Sequence, residues 1–257
     1  MYDLFSDDYD RFVNWADRLG YEMPFIDAQI QVLSLELKHP IHILDSACGT
    51  GMHAIALSKE GYKTSAADLF PQMVQKGKEN AKKAGVNIDF KTAGFGEMAQ
   101  AFGDDQFDLV LCLGNSLPHI LTTKDLVHSI KDFSSVLRNN GMLLIQNRNF
   151  NAVMKQKARW MEPQVHQTEG KEWLFYRFYD FLSNGLIRFN IVTMKHEIDA
   201  DWKSHVSSTL LRPLLYDELL HLLEQEGFRE VHAYGSMEGE AFSPESSGNL
   251  IITARKS

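Results

Sequence analysis

IHILDSACGTG occupies residues 41–51. Apolar Ile41, Ile43 and Leu44 run into Asp45, and Ala47, Cys48, Gly49, Thr50 and Gly51 follow at once. An apolar run that stops at an acid and turns through glycines reads as a buried strand entering a tight loop. The next stretch, MHAIALSKEG, places Ala54, Ile55 and Leu57 on one helical side and stops at Gly61. Strand, glycine turn and helix form a nucleotide-binding arrangement, because glycine lets backbone approach a ligand without a Cβ in the way. The plain alternative is a packed turn with no ligand.

Downstream, KTSAADLF predicts a second strand ending at Asp68, about two dozen residues past the loop, where a carboxylate can accept hydrogen bonds from both ribose hydroxyls. Pro71–Ala84 reads as a helix closed by Gly85, Val86–Lys91 as a third strand, and TAGFGEM as a loop. Backbone groups at Gly94 and Phe95 can read an adenine edge, with Phe95 or Met98 over its face. FDLVLCL, Phe107–Leu113, is a fourth buried strand, and it delivers Asn115, Ser116 and His119 to the strand end where open α/β sheets hold ligands. A helix over Thr123–Leu137 turns Leu126, Ile130, Phe133 and Leu137 inward; Asn139, Asn140 and Gly141 read as a turn. MLLIQNRNF is the fifth strand and emerges at Asn147, Arg148 and Asn149. An arginine there suits a carboxylate clamp, with a structural ion pair as the alternative.

Upstream, Ile26, Ile30, Leu33 and Leu37 form a helical stripe over Phe25–Leu37, with Pro24 in its first turn. Phe5, Tyr9, Phe12 and Trp15 share helical spacing and read as an amphipathic cover; Tyr2 and Arg18 flank them. Beyond residue 152 the βα rhythm breaks. WLFYRFYDFL and LIRFNIVTMKHEI flank Ser183-Asn184-Gly185, a hairpin signal, and KSHVSSTLLRPL continues the antiparallel insertion. One of its tyrosines is expected to face a pocket, and parity alone does not choose which. Leu214–Glu226 is a helix with Leu215, Leu219, Leu222 and Leu223 buried; FREVHAYG and NLIITARK then close the chain as an antiparallel pair.

The predicted organisation is an N-terminal helical cover (1–38), a cofactor-binding core (39–151), an antiparallel insertion or lid (152–210) and the C-terminal part of the core sheet (211–257). The 257 residues suffice for one large domain or a domain with an insertion. A formal charge of −8 disfavours a nucleic-acid surface. No apolar run approaches membrane-spanning length, and the start of the chain does not read as a signal peptide, so a cytoplasmic protein is expected. Cys48 and Cys112 sit in or beside apolar runs and are expected to be reduced. His166, His196 and His205 are too scattered for a metal site, and His53 reads as a packing or capping residue.

DSACGTG at 45–51, Asp68, FDLVLCLGNSLPH at 107–119 and LRPLLYDELLHLLEQEGF at 211–228 resemble class I S-adenosylmethionine-dependent methyltransferases along the whole chain. The resemblance implies a doubly wound, Rossmann-like α/β sheet of seven strands, with an antiparallel last strand and the insertion after the fifth. LGNSLPHI at 113–120 and QNRNF at 146–150 narrow it to glycine N-methyltransferase and related small-molecule N-methyltransferases. It implies S-adenosylmethionine as donor and S-adenosylhomocysteine as product. Arg18 resembles the arginine on the methionyl carboxylate, Asn115 and Arg148 the contacts to an amino-acid carboxylate, and His119 a histidine at the cofactor end. The remaining cofactor contacts it implies are Asp45, Ala47, Cys48, Gly49 and Gly51 in the loop, Asp68 and Leu69 after the second strand, Gly94 and Phe95, and Leu113.

The expected reaction is methyl transfer to the nitrogen of an amino acid or amine such as glycine or sarcosine. A neutral amine must be placed in line, close and dry. His119 or solvent can take the proton, and Tyr9, Trp15 or Tyr176 can steady a cationic transition state. The rivals are O- or C-methylation of a small metabolite, an RNA or protein methyltransferase, and a non-catalytic binding protein. No nucleic acid, membrane or metal is expected; the insertion and the N-terminal segment are candidate contacts of a homo-oligomer.

Overall fold

The computed structural model of the chain describes residue 11, residues 13–198 and residues 200–257. Tyr2, Phe5, Tyr9 and Phe12 lie outside the described residues.

The core is a seven-stranded sheet built from β1 (His42–Asp45), β2 (Lys63–Asp68), β3 (Asp89–Thr92), β4 (Phe107–Cys112), β5 (Leu137–Arg148), β10 (Phe228–Tyr234) and β11 (Asn249–Lys256), in the order β10-β11-β5-β4-β1-β2-β3. β1 to β5 run parallel, and β11 lies antiparallel between β5 and β10. The strand order reverses between β1 and β4, the place where sheets of this kind open a crevice at their carboxyl ends.

Period-2 alternation assigns the two faces. Ile43, Leu109, Leu111 and Leu144 pack on one face against Ile26, Ile30 and Leu33 of α1 (Trp15–Leu37) and Leu57 of α2 (Met52–Lys59). Leu44, Val110, Leu143 and Ile145 pack on the other, against Ile130 and Phe133 of α5 (Thr123–Val136) and Leu219 and Leu223 of α7 (Tyr216–Gln225). Since both faces are covered, the central strands β4 and β5 carry apolar residues on both sides rather than on alternate positions. α3 (Pro71–Ala84) has the predicted bounds and ends on Gly85 in the left-handed region.

Several local expectations are corrected. α1 begins at Trp15, so Pro24 lies inside it rather than in its first turn. The proline forgoes one backbone bond, and the buried stripe Phe25, Ile26, Ile30 and Leu33 holds the helix together across it. Asn139–Gly141 is no separate turn. α5 runs directly into β5, which bulges there, with Asn140 at φ 64° and the register on β4 shifting between Phe107 and Leu109. A Cβ on Gly141 would lie 2.8 Å from the Arg138 carbonyl and 3.1 Å from that of Asp108, so the bulge requires glycine. Leu215 caps α7 in extended conformation and is exposed, because it precedes the helical stripe. The loop after Gly94 contains a short helix, α4 (Met98–Phe102), whose first amides donate to the buried Asp132 carboxylate.

Between β5 and α7 lies a second sheet. α6 (Phe150–Gln156) leads to β6 (Gln164–Thr168), β7 (Lys171–Phe181), β8 (Ile187–Glu197) and β9 (Lys203–Leu211), antiparallel in that order. The hairpin falls at Ser183–Gly185 as predicted, and Gly185 takes φ 84°. α6 and β6 were not anticipated; each is short, and neither carries a long periodic pattern. Asn149 roots the insertion: its amide nitrogen donates to the carbonyls of Ser243, Pro244 and Ser247, while its oxygen caps α6.

Candidate active site

A cavity of about 980 Å³ opens at the carboxyl ends of β1, β2, β4 and β5 and is bounded on the far side by the second sheet. Ala47 and Gly49 line it from the first loop, Asp68 and Leu69 from the end of β2, and Gly94 and Phe95 from the end of β3. Gly49 donates its N–H to Asp68 Oδ2 at 2.8 Å, and Phe70 donates to Oδ1 at 3.0 Å. Two backbone donors thus fix the carboxylate and leave lone pairs on both oxygens. Burial pushes the Asp68 carboxyl above its ordinary range, and those two N–H groups oppose the shift. A Cβ on Gly94 would meet Leu69 Cδ1 at 3.0 Å, so the wall here is shaped around a missing side chain.

α1 brings a charged cluster to the same cavity. Arg18 Nε donates to Glu22 Oε2 at 3.1 Å, His53 Nε2 lies 2.6 Å from that oxygen, and Gln146 Nε2 donates to Oε1 at 2.7 Å. Burial alone would raise the Glu22 carboxyl; the His53 hydrogen bond, the Arg18 charge and the Gln146 amide outweigh it and hold it at about 2. Gln146 Oε1 accepts from Gly114 N at 2.9 Å, and the Gln146 carbonyl accepts from Asn115 N at 3.0 Å. Asn115, at φ 62°, accepts the Arg148 backbone N–H on Oδ1 at 2.9 Å.

At the other end, Arg148 from β5 and Arg177 and Tyr179 from β7 line the wall. Burial pushes the Tyr179 phenol up, against the pull of both guanidinium charges; burial and Arg148 lower Arg177. His119 also lines the cavity, and burial lowers its imidazole to about 4, so the ring is neutral near pH 7. Asn147 is 1% exposed at the same wall, and neither polar atom of its side-chain amide has a hydrogen-bond partner among the described residues.

Residues 43–141 match the family described as "Methyltransferase domain". The "Glycine/sarcosine/dimethylglycine N-methyltransferase" of Actinopolyspora halophila is 26% identical over 98% of this chain and 42% of its own length. The "Glycine/sarcosine N-methyltransferase" of Aphanothece halophytica is 24% identical over 98% of this chain and 88% of its own. The chain is similar to S-adenosylmethionine-dependent methyltransferases. This chain spans less than half of the first relative and most of the second. Its fold is also that of a crystallised S-adenosylmethionine-dependent methyltransferase from Clostridium acetobutylicum, with TM-score 0.77, 15% identity, and 100% of this chain and 99% of that one covered.

Of the residues singled out from the sequence, Arg18, Ala47, Gly49, Asp68, Leu69, Gly94, Phe95, Asn115, His119 and Arg148 come together at the cavity. Asp45, Cys48, Gly51 and Leu113 stand behind its wall. Asp45 is fully buried and pushed up to about 6 by burial, Cys48 donates its backbone N–H to the Ala67 carbonyl, and Gly51 packs near the Phe90 ring. Burial pushes both thiols up, Cys112 to about 12, so neither is a thiolate near neutral pH. The aromatic residues settle differently from expectation. Tyr176 is 40% exposed and outside the cavity wall, whereas Tyr179 is buried in it; Trp15 lies edge-on to His53. Glu22, Gln146, Asn147 and Arg177 line the cavity without having been singled out for it, apart from the placement of Asn147 at the ligand edge. Glu22 and Gln146 meet across 124 residues of sequence, and no local spacing signals that pairing.

Among the described residues, no helix is long and apolar enough to cross a membrane, and no group of three or more His, Cys, Asp or Glu is placed for a metal ion.

Proposed function

We propose that this methyltransferase transfers a methyl group from S-adenosylmethionine to the amino nitrogen of a small amine bearing a carboxylate, glycine or sarcosine being the type. The residues present fit the donor. Asp68, held by Gly49 and Phe70, has lone pairs for two ribose hydroxyls. The hollow beside Gly94, with Leu69 and Phe95 on the same wall, suits an adenine. Arg18, its Nε on Glu22, presents the rest of its guanidinium near Gly114 for the methionyl carboxylate. When bound, S-adenosylmethionine supplies a methyl already activated on a sulfonium.

The chain's own task is then positioning. Arg148 carries the acceptor reading. Its guanidinium lines the cavity at the end of β5 and makes no hydrogen bond or ion pair with a described residue, so no structural ion pair accounts for it. A carboxylate fits that guanidinium bidentately. Asn115, whose oxygen is occupied by Arg148 N, has its Nδ2 left to donate beside it. An ammonium has no lone pair to attack with, so the acceptor must bind neutral or lose a proton in the site. A base whose conjugate acid titrates at about 4 is a poor proton sink for an amine, so His119 serves as a neutral hydrogen-bond acceptor and the proton leaves to solvent. The names of the relatives support an amino-acid acceptor.

The test is incubation with methyl-labelled donor and a panel of amino acids, carboxylate-free amines and phenols. Label on the nitrogen of amino acids, and little on amines lacking a carboxylate, is the expected result. Label confined to phenols or to carboxylate-free amines overturns the reading.

A further inference from the structure

Three donors converge on Glu22, and each comes from a different part of the fold: Arg18 from the same helix, His53 from α2 beyond the glycine loop, and Gln146 from the end of β5. The carboxylate is 6% exposed. Its two oxygens take all three donors, Oε2 receiving two of them. The guanidinium is constrained from other sides as well. Its carbon sits 5.3 Å from the Trp15 ring centroid, and a methyl placed on Gly114 would lie 3.2 Å from one of its terminal nitrogens. Trp15 in turn meets His53 edge-on at 5.7 Å.

We propose that Glu22 is the positioning residue for Arg18: it grips the Nε edge of the guanidinium so that the opposite edge is presented to a carboxylate in the cavity. The inference rests on the reading above, in which that carboxylate belongs to the methionyl part of the donor. Glu22 touches neither reacting atom; it acts through Arg18. It also ties the arginine to the glycine-loop helix and, through Gln146, to the Gly114 turn, so the arginine's orientation is set relative to the rest of the donor cradle. Glutamine cannot replace it. An amide of the same shape offers one oxygen to three donors and turns its own N–H groups toward another.

The experiment compares two ligands by calorimetry: S-adenosylhomocysteine, which carries the carboxylate, and 5′-methylthioadenosine, which keeps the nucleoside and lacks the amino-acid part. In Glu22→Gln the dissociation constant of S-adenosylhomocysteine should rise at least tenfold while that of 5′-methylthioadenosine stays within about twofold. In an Arg18→Ala background, Glu22→Gln should add little, since the group it orients is gone. Glu22→Asp, which keeps both oxygens, should recover part of the loss. Equal weakening of both ligands, or full additivity with Arg18→Ala, would show a general structural role and overturn the proposal. Failure of the unmodified protein to bind either ligand would overturn the donor reading and this inference with it. A preference of the unmodified protein for S-adenosylhomocysteine that survives Glu22→Gln would overturn the inference alone.

Discussion

The two ends of the cavity are made differently. The end proposed for the donor is cut largely from backbone: Gly49 N and Phe70 N fix one carboxylate, and the absent Cβ of Gly94 shapes the wall. The end proposed for the acceptor is made of large side chains contributed by two sheets, Arg148 from the core and Arg177 and Tyr179 from the insertion. A backbone cradle belongs to the fold itself. A wall of side chains on an inserted sheet can be exchanged without disturbing the central strands. On the proposed function, donor chemistry is therefore built into the architecture, and acceptor choice is laid over it.

That contrast is sharpest under substitution. Arg148→Ala should lower kcat/KM for a carboxylate-bearing acceptor by roughly a hundredfold or more, the worth of a charge-assisted bidentate pair. Calorimetric affinity for S-adenosylhomocysteine should stay within about twofold; a parallel loss of that affinity would erase the division between the two ends. Asp68→Ala should do the reverse, weakening S-adenosylhomocysteine roughly tenfold to a hundredfold, with the acceptor KM at saturating donor little moved. Tyr179→Phe should raise the acceptor KM by a few-fold, while Tyr176→Phe, outside the wall, should leave it unchanged. Equal effects of the two in steady-state kinetics would place the acceptor elsewhere.

The smallest effect is on stability. His42 and His119 are each held at about 4 by burial, so between pH 6.5 and 4 the unfolded chain binds protons there that the folded one refuses. Asp45, raised to about 6 by burial, works the other way between 6 and 4, where the folded state holds a proton the unfolded one lacks. The two histidines outweigh Asp45 and leave a net loss of stability on acidification, at most about 1.4 kcal/mol per pH unit, which the carboxyl of Asp68, also raised by burial, reduces further. Glu22, held at about 2, adds its own loss below about pH 4.5, its unfolded range. Calorimetric Tm should fall from pH 7 to pH 5. A rising Tm would mean that the two buried carboxyls, not the histidines, dominate the balance.

The donor end was largely legible because its signals are local. An apolar run, a glycine loop, a helix and an acid at the next strand end lie within 28 residues, 41 to 68, and period-2 alternation sorts the strands onto two faces. The acceptor end was legible only where it shares those strands, at Asn115, His119 and Arg148. Tyr179 could not be separated from Tyr176 by sequence, because facing depends on how β7 pairs and which side meets the core. Glu22 was hidden by distance along the chain and by Pro24, which suggested a helix starting after it. Asn140 and Gly141 carried a genuine backbone signal, yet a bulge inside a strand and a turn between elements use the same residues.

β7 and β8 pair without a break from Lys171–Glu197 to Phe181–Ile187. A ribbon joined along its whole length does not flex one residue at a time. If this roof shifts to admit a larger guest, it tips as a plank about its attachments near Asn149 and Arg212, carrying Arg177 and Tyr179 together. Guest size and guest charge are then sensed by a single rigid surface, and a change that alters one of them alters the other.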